Sequence, residues 1–517
     1  MKASSTRKSD DGALKMENGK HKLRRIFSIF HPPFSIVALT LALAAGCAVG
    51  PNYHPPQANA PAQWSSPLAG GETNTPAKLA GWWRHFNDSN LDFLMTLAVS
   101  SNLDLRIAKA RVREARAERD VASGSFWPSA DDTAGYSRNR WGGNSFPPVS
   151  AGIPLDYNLY NAGFDAAWEL DLFGGTRRAV EAANAEIGAA VYDQRGVLIS
   201  LLGEVARNYI IARGYQQRLG ITRENIEVQK DILDLTQSRY QSGLGSDLEV
   251  QQSTALLAAT ESQVPSLETG FQQSVHHLAV LLGQPPGTLL DEMSAEKPIP
   301  STPPIVPAGL PSDLLLRRPD VLGAERKLAA ATAQIGVATA DLFPKFSLTG
   351  TLGLESESAG NWFDYASRYW SAGPTLRWNL FQAGRIRANI RVQNARQEQA
   401  LDAYQKAVLT ALEDAENALT AYAKELIRRE ALARSARAGQ QALDLSNQLY
   451  KSGLTDFLHV LDSERSLYAA QDALVQSDQK IALNLVQLYK ALGGGWQTAP
   501  SSSRLTAAGL SRADRHN

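Results

Sequence analysis

The chain has 517 residues, 44% of them hydrophobic, enough to bury a substantial core. Fifty-two basic residues balance 52 acidic ones, which leaves no net field to hold nucleic acid or an anionic membrane face. No apolar run of about 18 residues appears beyond the N-terminus, which argues against a bundle of transmembrane helices.

Residues 1–46 read as an export signal. Lys20, Lys22, Arg24 and Arg25 precede an apolar run from Phe34 to Ala45 that is too short to span a bilayer and ends in small residues. The sole cysteine, Cys47, comes next. Leu43-Ala44-Ala45-Gly46-Cys47 resembles the lipobox of bacterial lipoproteins, whose cysteine becomes the acylated first residue, although leucine stands one place further upstream than usual. Ala48 rather than an aspartate succeeds it, and by resemblance to sorted lipoproteins this implies the outer membrane. The other reading is a secretory signal with an incidental cysteine. Residues 47–80, rich in Pro, Asn, Ala and Gln between Pro51 and Pro76, read as a lipidated tether. Order is expected from near Trp82.

The remainder is written twice. Tyr240, Ser242, Gly243, Leu244, Leu248, Val250, Ser253, Leu282 and Gly283 recur as Tyr450, Ser452, Gly453, Leu454, Leu458, Val460, Ser463, Leu492 and Gly493. Identity at one constant offset marks an internal tandem repeat. It divides the chain into a first repeat at 81–284, a Pro-rich linker at 285–318, a second repeat at 319–496 and a tail at 497–517 expected to be disordered. Each repeat reads helix, strand, loop, strand, long helix, turn, helix.

A helix from Asn90 to Ser123 stops before Phe126-Trp127-Pro128, and its counterpart from Asp320 to Ala340 stops before Leu342-Phe343-Pro344. Proline excludes the residue before it from helical geometry. Strands come after each stop. Trp168, Leu170 and Leu172 alternate with Glu169 and Asp171; Phe346, Leu348, Gly350, Leu352 and Leu354 alternate with small polar residues; so do Leu376, Trp378 and Leu380. The partner strand from Thr133 to Arg140 is less distinct. Runs of about 10 residues suit outer-membrane strands, lipid on one face and lumen on the other, or equally a half-buried sheet in a soluble domain. No proline falls between Pro154 and Pro265 or between Pro374 and Pro500, and these gaps have the composition of extended helices. One from Thr176 to Ser242 would be roughly 100 Å long. Leu401, Tyr404, Val408, Leu412, Ala415, Leu419, Tyr422 and Leu426 form a seam with a mean step of about 3.57 residues, which supercoils weakly. Ser242-Gly243-Leu244-Gly245 and Ser452-Gly453-Leu454-Thr455 read as the turns ending the long helices, with Asp247 and Asp456 placed to cap the next helix in each repeat.

Little in the sequence carries chemistry. His276 and His277 are adjacent on a helix, about 100° apart, and cannot chelate one metal. No nucleophile elbow or phosphate-binding glycine loop is present, and the Glu413-Asp414 pair reads as a solvated helix face. An enzyme is therefore not expected, nor a cofactor, nor a metal site. Leu458, His459 and Asp462 lie just past the second turn, and Leu458 and Asp462 share a helix face. Three chains around an axis would set a leucine ring and an aspartate ring there, whose carboxylates would raise one another's pKa. In a single chain, Leu458 as coiled-coil core and Asp462 as surface charge fits equally well.

Cys47-Ala48-Val49-Gly50-Pro51-Asn52-Tyr53, Trp168-Glu169-Leu170-Asp171-Leu172-Phe173-Gly174, Leu315-Leu316-Arg317-Arg318-Pro319-Asp320-Val321, Ala340-Asp341-Leu342-Phe343-Pro344 and the two Tyr-x-Ser-Gly-Leu turns together resemble the TolC-type outer-membrane efflux proteins. The likeness is to the NodT-like lipoprotein branch that serves resistance-nodulation-division pumps. It implies an α+β homotrimer: four strands per chain closing one 12-stranded outer-membrane β-barrel, continued by a long α-helical barrel into the periplasm of a Gram-negative bacterium. It implies lipid on Cys47, a periplasmic gate at Leu458, His459 and Asp462, and contact with an adaptor through the turns at Gly243, Leu244, Gly453 and Leu454. His459 stands where some relatives have a second aspartate, so a pH-sensitive tip is a further expectation.

The function expected is the passive exit duct of a tripartite system exporting small toxic compounds. Its partners would be a periplasmic adaptor, an inner-membrane pump of the resistance-nodulation-division type and outer-membrane lipid, with no nucleic acid. The alternatives are a duct for type I protein secretion or metal efflux, and a lipid-anchored periplasmic coiled coil without a pore.

Overall fold

The computed structural model describes residues 48–57, 60–65, 72–73, 79–142, 154–303 and 306–498. The 1–46 signal and Cys47 lie outside them, as does the tail apart from Gln497 and Thr498, which close a 3-10 turn begun at Trp496. In chain order β1 is Glu72–Thr73, α1 Ser89–Ser101, α2 Leu103–Gly124, β2 Ser129–Arg140, β3 Asp156–Leu170, α3 Gly175–Gln241, α4 Asp247–Glu261 and α5 Val264–Leu281. Then come α6 Leu290–Met293, β4 Val306–Pro307, α7 Pro311–Arg317, α8 Pro319–Ala340, β5 Lys345–Ser356, β6 Arg368–Arg377, α9 Arg385–Lys451 and α10 Phe457–Ala491.

These elements make two compact units, each discontinuous in sequence. Ser125–Arg178 and Gly336–Ala388 belong to the first, with the end of the Met1–Gly50 piece. Pro51–Gly124, Ala179–Ile335 and Asn389–Asn517 belong to the second. Both repeats thus contribute to both units. The class is α+β, with four strands of one sheet supplied by the chain, as expected.

In the first unit β2, β3, β5 and β6 pair antiparallel in that order. Two strand boundaries differ from the sequence expectation. β3 begins as early as Asp156 and stops at Leu170, excluding Leu172. Asp171 turns to cap α3 there, accepting from Thr176 N (3.1 Å) and Arg177 N (2.9 Å). β6 stops at Arg377, leaving Trp378 and Leu380 outside; Leu380 N donates to Trp378 O at 3.1 Å, and Ala383 and Gly384 then take positive φ. The apolar alternation runs on, but the backbone has already left the ladder. β2, indistinct in sequence, is a full strand because each residue from Ser129 to Arg140 has a partner on β3.

Most of α3 and α9, 67 residues each and about 100 Å long, belongs to the second unit. Tyr404, Val408, Ala415, Leu419 and Tyr422 are buried along the expected seam. The helix expected from Asn90 to Ser123 is two helices. Buried Asn102 breaks it, capping α2 by accepting from Leu105 N (2.8 Å) while its amide donates to Leu281 O (2.8 Å). The helix after the first turn is likewise split, at Ser262–Gln263, with proline at the start of α5; the second repeat, without that proline, runs unbroken as the 35 residues of α10. The linker is less irregular than its prolines suggest. It holds α6, α7 and β4, which pairs in parallel with β1 of the tether.

Candidate functional site

Register sorts the sheet's side chains onto two faces. Leu170, Phe346 and Leu376 stand in one cross-strand row; Trp168, Leu348 and Pro374 in the next but one; Phe164, Leu352 and Trp370 further along, with Asp132 at the β2 end of that row and Arg368 opposite Leu354 in the one beyond. The intervening rows are polar: Glu169, Ser347 and Thr375; Ala167, Thr349 and Gly373; Asp131, Asp165, Thr351 and Ser371. Large apolar groups such as Phe164, Leu352, Trp370 and Leu376 are exposed, which in water would be unfavourable over so wide a patch. A sheet with one largely apolar and one polar face, neither covered among the described residues, suits lipid on one side and water on the other.

Aromatic residues mark both ends of that face. Tyr136 packs on Tyr160 (ring centroids 4.9 Å) and Tyr160 on Trp362 (6.0 Å). At the other end Phe173 stacks on Phe343 (4.6 Å), and the indole N–H groups of Trp168 and Trp378 donate to Phe126 O (2.8 Å) and Leu342 O (3.1 Å). From Tyr160 to Trp168 is roughly 27 Å along a strand, the scale of the apolar band of an outer-membrane barrel, about 25 Å. The residues after Cys47 are fixed at the second end. Val49 N donates to Phe173 O at 3.1 Å, and Arg178 Nε donates to Val49 O at 3.1 Å.

The two turns of the second unit share one geometry. Gly243 and Gly453 have φ of 74° and 70°, the left-handed conformation that terminates a helix without a Cβ clash. Leu244 N reaches back to Arg239 O (2.8 Å) and Leu454 N to Leu449 O (2.9 Å), satisfying the last carbonyls. Leu244 and Leu454 are 70% and 75% exposed. Of the two expected caps, neither acts: Ser246 caps α4 through Glu249 N, and Asp456, although at the cap position of α10, makes no side-chain capping bond.

Past the second turn, Phe457, Val460 and Leu461 face inward into a cluster with Ile232, Leu443 and Tyr450. Leu458 is 61% exposed, and His459 and Asp462 are exposed beside it. Leu458 is therefore not core within the chain. It presents an apolar group to whatever surrounds the turn.

The family model described as outer membrane efflux protein matches residues 94–284 and 310–494, most of the chain. The chain belongs to the outer membrane efflux protein family. It is 36% identical over 447 residues to the pyoverdine export outer membrane protein OpmQ of Pseudomonas aeruginosa, covering 85% of this chain and 92% of that protein. It is 30% identical over 487 residues to nodulation protein T of Rhizobium leguminosarum, covering 93% and 98%. Among solved structures it is similar to the outer-membrane channel OprN, with a TM-score of 0.80 and 37% identity over 87% of this chain and all of that one. This efflux protein is accordingly an outer-membrane channel, the exit duct of a tripartite efflux system, as the sequence motifs implied. Among the described residues no helix is long and apolar enough to cross a membrane, and a coiled coil alone would not need the two-faced sheet.

Several residues that shape this efflux protein escaped sequence reading. Asp414, read as part of a solvated face, accepts from Arg318 at 3.0 Å. Arg318 also binds Asp320 and Ala491 O, locking the start of α8 to α9 and α10. Glu425 and Glu464 are buried carboxyl groups on α9 and α10. Nothing in a one-dimensional pattern of charged helix residues separates these from their exposed neighbours.

Proposed function

We propose that three copies of this chain close one 12-stranded barrel and that the long helices of each copy join in a periplasmic tunnel gated near α10. The observation that carries this reading is the sheet itself. It has lipid-compatible and water-compatible faces, yet among the described residues β2 and β6 each leave one edge unpaired, an arrangement stable in a bilayer only when closure removes both edges. Three such sheets supply twelve strands. Leu458 and Asp462 from each copy narrow the tip, with His459 beside them. The exposed Leu244 and Leu454, held by Gly243 and Gly453, offer apolar contacts to a periplasmic adaptor. An inner-membrane pump of the resistance-nodulation-division type provides the work, and small toxic compounds leave through a lumen of weak selectivity. In this reading the first repeat spans 81–284, the linker 285–318 and the second repeat 319–496. Cys47 carries lipid; Val49, two residues on, is hydrogen-bonded to Phe173 and Arg178 at the aromatic end of the strands, which suits an acyl anchor.

The test is electrical. Purified protein in planar bilayers should conduct poorly, and the double variant L458A/D462A should conduct several-fold more at the same voltage. Equal conductance in the two overturns the gate. Deleting the gene should raise cellular accumulation of small dyes and drugs. If accumulation is unchanged while a secreted protein or a metal ion is retained, the duct serves one of those systems instead.

A further inference from the structure

Glu464 stands two residues beyond Asp462 on α10, about 200° around the helix, and its situation is the reverse. Asp462 is exposed, whereas Glu464 is 1% exposed. It lies on the buried face with Val460, Leu461 and Leu467 and meets Gln229 of α3, also buried and one turn from Ile232 of the same apolar cluster. A carboxylate so placed should have a cation beside it. Among the described residues, the one charge acting on it is that of Arg465, its exposed neighbour.

The polar atoms do not balance. Glu464 Oε1 and Gln229 Oε1 are both buried and without hydrogen-bond partners. The Gln229 amide favours the charged carboxylate, yet both Oε1 atoms stay bare, and an ionised carboxylate has no donor for a neighbouring acceptor; a neutral carboxyl has one O–H. Burial pushes the Glu464 carboxyl up to about 7, against the Gln229 amide and Arg465, which draw it down. Other titratable groups lie around the same cluster. On α9, Tyr450 donates to Glu249 of α4 at 3.0 Å beneath the Arg239 guanidinium of α3, and on α10 itself His459 and Asp462 face outward.

We propose that Glu464 is a proton-operated latch: with its proton it donates to Gln229 and holds the start of α10 against α3, and on losing it to solvent it becomes hydrated and frees that helix end. The consequence for transport rests on reading the start of α10 as the gate. The sign is fixed by linkage. The folded value lies above the ordinary carboxyl value of 4.5, so the latch is fully made below that value and is lost as pH rises through about 7. Acid fastens the tip and alkali loosens it.

Hydrogen exchange of the 457–467 segment in the purified trimer, corrected for the intrinsic chemical rate, tests the latch without reference to conduction. Opening should be about tenfold more frequent at pH 8 than at pH 6 in the natural protein. E464Q, which keeps the shape and supplies a permanent donor, should be slow at both values, and E464L should likewise show no pH dependence. H459A should retain the full dependence. Exchange that ignores pH in the natural protein, or pH dependence that survives E464Q or disappears in H459A, overturns the proposal. Bilayer conductance recorded alongside separates the two readings. If exchange responds as described while conductance does not, the latch stands and the gate assignment fails.

Discussion

Buried glutamates of the second unit show how the same side chain is driven in opposite directions by its partners. Burial alone would raise Glu425, but the Ser477 hydroxyl (2.6 Å), the Lys480 ammonium and the Arg428 guanidinium outweigh it and hold the carboxyl below its ordinary value. Glu464 has no such set and moves up. The pH consequences are therefore opposed. Glu425 stabilises above about 4.5, and its contribution is lost as pH falls through the lower folded value. Substituting E425Q should weaken the α9–α10 packing by about 1–3 kcal/mol at neutral pH, read from the helical circular dichroism signal during denaturation. The gap between E425Q and the natural protein should shrink below pH 4.5; a constant gap would remove the ionic explanation. Arg318 presents a related case. Its guanidinium joins Asp320, Asp414 and Ala491 O, and R318M should destabilise by about 3 kcal/mol because two carboxylates and a carbonyl lose one shared donor. The measurement is the temperature at which the trimer dissociates on gels.

Helix ends and breaks decide the element scale, and here the duplication serves as an internal control. α10 runs where α4 and α5 are separate helices, and Val475 occupies the place that Pro265 holds in the first repeat. V475P should break α10 at that point at a cost of roughly 3 kcal/mol, seen as faster exchange on both sides of the substitution. Gly453 makes the complementary argument. A Cβ there would meet nothing within 4 Å, so G453A tests backbone conformation alone, and a loss of about 1 kcal/mol is expected from φ of 70°. A loss several times larger would mean that the turn packs against another surface. The helix periods, the proline stops and the glycine turns were all legible in advance because each is a local property of the chain. Asn102 was not. Its break depends on Leu281 O, 179 residues away, and no local pattern announces that carbonyl.

For the molecule as a whole, the two faces of the sheet make the sharpest demand. Leu352 and Thr351 are adjacent in sequence and opposite in exposure to the membrane. L352R places a charge in the apolar band and should cost about 2–4 kcal/mol, lowering the yield of heat-modifiable trimer, whereas T351R should fold normally and shift ion selectivity in bilayers. Equal folding of both would reverse the assignment of faces. The sequence by itself determined the tandem repeat, the α+β class, the paired strands and the rod-like helices, because periodicity, proline spacing and glycine turns act over a few residues at a time. Its motifs also pointed to the efflux family. Tertiary structure decided the rest: that β2 begins at Ser129 and pairs with β3 throughout, that Leu458 faces out while Val460 faces in, that Asp414 is an ion-pair partner and that Glu464 lies buried beside Gln229 with Arg465 as its charged neighbour. Each depends on a residue far away in the chain, and the free energy of a charge is set by what surrounds it in space.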